Sequence, residues 1–293
     1  MSDKVNIPDE IAKSKCAPGV KYDKVLNTCF SEEKLKLYVK EYNKYNPKNK
    51  IPLLNDKQKL YRGLQSKLLP LCGNNEACYV DQQFIDDPEL INTFKPKKPK
   101  GKYDWLSTLD IFKVLKQYEI KYPNFEFIGA VPIDFDYIYK DICKFNLADF
   151  LKKKDCVGIV FNTDPSTASG EHWISMFIDF RETGNEQINF FDSVGEKPPK
   201  EVMSLIKRLK KQSMDIGRKA TVKVNTIKHQ RKNTECGVYS INFIVSQLLG
   251  YSFEEVVKNN ETSWLFEKQN KEDCIKRFFE IANQPDHCYS AVS

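Results

Sequence analysis

His172, Asp192, Gln230 and Cys236 carry the side chains that thiol-based cleavage of an amide bond requires: an imidazole, a carboxylate, a carboxamide and a thiol, in that order along the chain. Only a thiolate attacks a carbonyl, and most thiols are protonated at neutral pH. A reactive cysteine therefore needs a base and surroundings that favour the anion. Cys236 is followed by Gly237 and then by Val238, Ile241, Ile244, Val245 and Leu248 at helical spacing, with Asn233 and Thr234 before it as cap residues. The pattern predicts that Cys236 opens a helix. A helix N-terminus beside an imidazolium lowers a cysteine pKa to roughly 3.5–7.5. The helix is apolar on several sides, which predicts burial and a rigidly held first residue. Gly237 removes side-chain bulk where a substrate carbonyl must approach.

The elements that would position the other groups are strands. His172 begins the alternating run to Phe180, with Ile174, Met176, Ile178 and Phe180 on one face. Asp192 ends the next run, Gln187 to Phe191, after a turn at Thr183-Gly-Asn185. If these strands pair antiparallel, the start of one lies beside the end of the other. Imidazole and carboxylate then meet, and the carboxylate fixes the tautomer. Gln230 falls in the loop after a strand at about 221–227, where its amide could donate to a developing oxyanion. Of the other histidines, His229 is the competing base, and its place beside Gln230 suggests a binding or incidental role. His287 sits in the tail Pro285-Asp-His-Cys288 and suggests no role.

The series His172-Trp173, Asp192 at a strand end, and Gln230-x5-Cys236-Gly237 resembles the SUMO-protease-like (ubiquitin-like-protein-specific) cysteine peptidases. Within them it resembles most the polyprotein-processing proteases of large DNA viruses, the group that includes the African swine fever virus protease. The specific motifs cover roughly 105–250. The resemblance implies an α+β, papain-like core with a central mixed β-sheet flanked by helices. It implies Cys236 as nucleophile, His172 as general base, Asp192 as its partner and Gln230 as oxyanion donor. It further implies that Trp173 walls a narrow channel admitting glycine. Trp105, opening Trp-Leu-Ser-Thr-Leu-Asp110, is similar to a second wall tryptophan, although the motif departs after Leu106. The implied function is a cysteine endopeptidase that cleaves after Gly-Gly in viral structural polyprotein precursors during virion maturation. The alternative is an isopeptidase of SUMO or another ubiquitin-like modifier. The partner is in either case a protein carrying Gly-Gly-X sites, with no cofactor and no metal. Host cytoplasm and virion are the implied locations.

Composition agrees with an enzyme that has real cores: 293 residues, 41% hydrophobic and 12% aromatic. No run is long enough to span a bilayer and no signal-peptide core follows Met1, so a soluble protein with no membrane partner is expected. Nine cysteines, an odd number without dense regular spacing, suggest a reducing compartment. Cys16, Cys29, Cys72 and Cys78 could be a zinc site or disulfide pairs. The pairings weighed are Cys16 with Cys29 and Cys72 with Cys78, but they lack C-x2-C spacing and a histidine, and read as packing thiols.

The formal net charge is +6. Lys207, Arg208, Lys210 and Lys211 lie on an amphipathic helix and read as a solvated face. The densest basic run, Lys95-Pro-Lys-Lys-Pro-Lys100-Gly-Lys102, reads as an extended linker because of its prolines. Nucleic-acid or acidic-surface binding there has weak support, since no aromatics interleave. The linker suggests three parts: a small helical N-terminal arm over 1–94, the linker over 95–103, and a protease domain over 104–293. Two helices are expected in the arm, one after Ser31 and one over about 56–69, with a turn near Cys72–Cys78. The protease domain should continue beyond the cysteine helix into helices carrying Phe253, Val256 and Val257, and Ile275, Phe278 and Phe279.

Overall fold

A computed structural model describes residues 15–96, 105–230 and 234–259. They fall into two compact units, divided after Pro96. The first unit is built on helices α1 (Glu32–Tyr45) and α2 (Lys57–Cys72). Their start points follow from side-chain caps: Ser31 accepts from the Lys34 amide and Asp56 from the Lys59 amide. Leu35, Tyr38, Val39 and Tyr42 of α1 and Leu60, Leu64 and Leu68 of α2 share one buried cluster with Phe30, Tyr79, Leu90 and Phe94. Two short helices, α3 (Ala77–Val80) and α4 (Pro88–Ile91), complete this unit.

The expectation for its cysteines was wrong. Cys16 is disulfide-bonded to Cys29 and Cys72 to Cys78, with Cα separations of 5.4 and 5.5 Å. Residues 17–28 fold back through paired bonds between Asp23 and Thr28, which brings Cys16 and Cys29 to bonding range. Gly73, at a φ of 54°, turns the chain sharply after α2 and returns Cys78 to Cys72. Sequence spacing alone does not separate a bonded pair from two packed thiols; the backbone approach does. The inference of a reducing compartment from unpaired cysteines loses its basis in this unit. Lys95, counted with the basic linker, is instead buried, and burial lowers its pKa to about 8. The rest of the basic run, Asn233, the proposed helix at Ile275–Phe279 and His287 lie outside the described residues.

The second unit is a five-stranded sheet in chain order: β1 (Phe125–Val131), β2 (Cys156–Asn162), β3 (Trp173–Asp179), β4 (Gln187–Phe191) and β5 (Thr221–Val224). The pairs β1–β2 and β4–β5 are parallel, while β2–β3 and β3–β4 are antiparallel, so the sheet is mixed as expected. Helix α5 (Thr108–Lys121) precedes β1, and its start is fixed by a capping box between Ser107 and Asp110. Three one-turn helices, α6 (Phe135–Ile138), α7 (Lys140–Cys143) and α8 (Leu147–Phe150), follow β1.

One sheet face buries Ile174, Met176, Ile178, Ile188 and Phe190 with Val202, Leu205, Ile206 and Leu209 of α9 (Lys200–Asp215). The other face receives α10 (Cys236–Leu248), every residue of which is buried. A Cβ on Gly158 would lie 3.0 Å from the side chains of Ile244 and Phe125, so the glycine allows α10 to close on β2. Arg181, just after β3, donates to the carbonyls of Gln247 and Leu248 at 2.7 and 2.8 Å and satisfies the C-terminal end of α10. Helix α11 (Phe253–Asn259) closes the described chain. None of the helices among the described residues is long and apolar enough to cross a membrane.

Candidate active site

The antiparallel pairing of β3 with β4, Ser175 opposite Phe191, puts the start of one beside the end of the other. His172 immediately precedes β3 and Asp192 immediately follows β4, so the sheet register itself brings the two side chains together. His172 Nε2 donates to Asp192 Oδ1 at 2.7 Å, and the same oxygen accepts the Val194 amide at 2.9 Å. Asp192 is buried, while His172 keeps one edge open. With Nε2 committed to the carboxylate, Nδ1 is left for the thiol of Cys236, to which the ring is also hydrogen-bonded. Burial opposes a charged ring here. The hydrogen bonds to Asp192 and Cys236, with the charge of both partners, outweigh it and raise the His172 pKa to about 9.

Cys236 is the first residue of α10, as the apolar spacing predicts. The capping expectation differs: Glu235 occupies the cap position without a side-chain cap bond. Burial of the whole helix fixes its start in place of a cap. A Cβ on Gly237 would meet the Leu106 side chain at 3.0 to 3.3 Å, so the glycine admits Leu106 against the helix start.

Leu106 also carries a link that its sequence did not suggest. Its carbonyl accepts the indole N–H of Trp173 at 2.9 Å, and the Trp173 carbonyl accepts the Ser240 hydroxyl on α10. Trp173 is 5% exposed, whereas Trp105, next to Leu106, is 40% exposed. The two tryptophans therefore differ: Trp173 is set into the body of the unit, while Trp105 faces outward.

Gln230 is buried, and its Oε1 accepts the Ser193 hydroxyl at 2.6 Å. The Ser193 carbonyl accepts the amides of both His229 and Gln230. Strand β5 ends at Val224, short of the expected Ile227, because Asn225 turns its side chain onto the carbonyls of Asp192 and Ile227. His229 is buried, stacked on Phe191 with ring centroids 5.4 Å apart. The imidazole that bonds Asp192 is that of His172.

The arrangement can perform acyl transfer. An imidazole held by a carboxylate meets a thiol at a helix N-terminus, and a carboxamide stands on the adjoining loop. The structure brings together His172, Asp192 and Cys236 and ties Gln230 to Ser193, while Ser193, Asn225 and Leu106 do not stand out in the sequence. The signal for each was only its place next to a motif residue or at a strand end.

The profile of the Ulp1 protease family, C-terminal catalytic domain, matches residues 74–278. The chain is 32% identical over 271 residues to a protein of Acanthamoeba polyphaga mimivirus named for thiol-protease activity, covering 84% of this chain and 88% of that one. It is 32% identical over 204 residues to a SUMO-1 cysteine protease of African swine fever virus, covering 63% of this chain and 73% of the relative. The crystal structure of an African swine fever virus protease superposes with a TM-score of 0.64 at 22% identity, over 94% of this chain and 97% of that one.

Proposed function

The chain belongs to the Ulp1 protease family and is a cysteine protease, and from that premise we propose that it is an endopeptidase cleaving after Gly-Gly in polyprotein precursors. The observation that carries the chemistry is the His172–Asp192 bond beside Cys236 at the start of a buried helix. In this reading Cys236 attacks the scissile carbonyl as a thiolate. His172 then gives a proton to the leaving amine and activates the water that releases the acyl group. Asp192 holds the ring in the tautomer that faces the thiol. Gln230 donates its amide N–H to the oxyanion of each tetrahedral intermediate.

Specificity follows from the tryptophans. Trp173 is held by the bond from its indole N–H to the Leu106 carbonyl, and Trp105, the residue before Leu106, is exposed. A channel between two indoles leaves no room for a methyl group at either residue before the cut, and small misplacements of the carbonyl are costly in rate. The residue after the cut lies beyond the channel and is free to vary. The substrate is then a protein with Gly-Gly-X sites, and virion maturation is the setting that the viral relatives suggest.

The swine fever virus relative, a SUMO-1 cysteine protease by name, favours a second reading, an isopeptidase acting on SUMO or a similar modifier. A Gly-Gly-X site placed in a flexible segment, compared with the same site at the tail of folded SUMO, separates the two. Efficient cleavage of the flexible segment supports the endopeptidase. A strict need for the folded domain overturns it in favour of the isopeptidase, and efficient cleavage after Gly-Ala or Ala-Ala refutes the narrow channel.

A further inference from the structure

We infer that Ser193 is a positioning residue for the oxyanion step: its hydroxyl sets which end of the Gln230 carboxamide faces the reacting carbonyl. The inference rests on the reading of Gln230 as the oxyanion donor. A carboxamide can sit in a site in either of two orientations related by a half-turn, and the two occupy nearly the same volume. Packing therefore cannot choose between them, and hydrogen bonding must. One orientation offers N–H to a developing negative charge. The other offers a carbonyl oxygen, which repels it.

Ser193 decides this in the structure. Its hydroxyl donates to Gln230 Oε1 at 2.6 Å, in a place where Ser193 and Gln230 are 1% and 5% exposed. The oxygen end of the amide is thereby committed and the Nε2 end is left to donate. The Ser193 carbonyl also accepts the Gln230 backbone amide at 3.0 Å, so the main chain and side chain of Gln230 are tied to one residue.

Ser193 is itself held in a rigid turn. The Val194 amide donates to Asp192 Oδ1, the Gly195 amide to the Asp192 carbonyl at 3.0 Å, and the Asn225 side chain to that carbonyl at 2.7 Å. Gly195 adopts a φ of +81°, and a Cβ there would lie 2.9 Å from the Thr226 carbonyl oxygen, so the turn is packed against the strand exit that leads to Gln230. One turn thus mounts the partner of the base and the orienter of the oxyanion donor. Base and oxyanion donor keep their relative positions because their supports are consecutive residues.

A role in orienting Gln230 differs measurably from a role in folding. Hydrolysis and hemithioacetal formation with a peptide aldehyde both create an oxyanion. Alkylation of Cys236 by iodoacetamide needs the thiolate and creates none. The full chain and its Ser193→Ala, Gln230→Ala and double variants are compared with a fluorogenic Gly-Gly peptide, the corresponding peptide aldehyde and iodoacetamide, with alkylated Cys236 followed by mass spectrometry. Gln230→Ala is expected to lower kcat by roughly 10²–10³. Ser193→Ala alone is expected to lower kcat and aldehyde affinity by about tenfold with KM little changed, about the effect of one neutral hydrogen bond. In the Gln230→Ala background, Ser193→Ala is expected to cost less than about twofold, because two residues acting through one group are non-additive. Alkylation rates across pH should stay close to those of the unsubstituted chain. Hydrolysis unchanged in Ser193→Ala overturns the inference, as does the same loss with or without Gln230, or a parallel fall in alkylation. A Gln230→Ala variant with full activity overturns the oxyanion assignment itself, and the inference with it.

Discussion

Replacing Asp192 with asparagine tests the electrostatics of the site most directly. Asparagine has the shape of aspartate and keeps an acceptor for His172 Nε2, so the substitution removes the charge and little else. The rise of the His172 pKa from 6.5 to about 9 corresponds to roughly 3 kcal/mol at about 1.4 kcal/mol per pH unit. Solvent at the open edge of the ring screens part of this, leaving about 1.5–3 kcal/mol, the range of a hydrogen bond to a charged group. Cys236 shares in raising the pKa, so loss of the Asp192 charge should lower the His172 midpoint by about one to two pH units, to about 7–8.

The sign also fixes a stability signature. A histidine whose folded pKa lies above its unfolded value contributes stability that is full below the unfolded value, 6.5, and is lost as pH rises through about 9. The native chain should therefore exceed Asp192→Asn in unfolding free energy most below 6.5, with the gap closing above about 9. The sequence has three histidines, so ring resonances can be followed by NMR during a pH titration, with His172→Gln giving the assignment. Urea unfolding at several pH values gives the second readout. A His172 midpoint unmoved in Asp192→Asn, or a stability gap that widens with rising pH, would refute the reasoning.

Cys236→Ala is expected to abolish hydrolysis while leaving the melting temperature within a few degrees, since the thiol is small. Electrophile labelling that persists at a second cysteine at the native rate would show that the nucleophile is elsewhere. Gly237→Ala drives a methyl into Leu106, with 3.0 Å to its Cβ, and should disturb the Leu106–Trp173 bond. A loss of about 1–3 kcal/mol in urea unfolding, with a fall in kcat/KM of about tenfold, is the expected cost of overpacking at this place. Native activity in this variant would mean that Leu106 does not brace the site. Serines at Cys16 and Cys29 open a disulfide with a sequence separation of 13 and should lower unfolding free energy by about 3 kcal/mol, read as a lower denaturant midpoint than that of the native chain without reductant. Arg181→Ala strips the carbonyls of Gln247 and Leu248 of their donor and should cost about 1–3 kcal/mol. A change below about 0.5 kcal/mol in urea unfolding would count against Arg181 as the anchor of α10.

Residue order alone marks the chain as a cysteine protease, and short-range patterns mark the elements that carry the candidate site. The order His172, Asp192, Gln230, Cys236 is a pattern of residue types. The period of two in Trp173–Phe180 and the helical spacing after Cys236 are short-range signals that survive into β3 and α10 because both are buried. The meeting of His172 and Asp192 was legible because consecutive antiparallel strands put the start of one beside the end of the next, and their buried faces hold that register. Features that depend on contacts between distant parts of the chain emerge only on folding. The disulfides Cys16–Cys29 and Cys72–Cys78 required backbone turns that no cysteine spacing encodes. The start of α10 is held by burial of its whole surface, so no cap residue marks it. Ser193, Asn225 and Leu106 act through single hydrogen bonds or contacts reaching 37, 33 and 67 residues along the chain, to Gln230, Asp192 and Trp173 respectively. A serine, an asparagine or a leucine can make such a bond almost anywhere, so residue type carries no information about the partner. Only the assembled sheet, with α10 pressed on one face, brings those partners within reach.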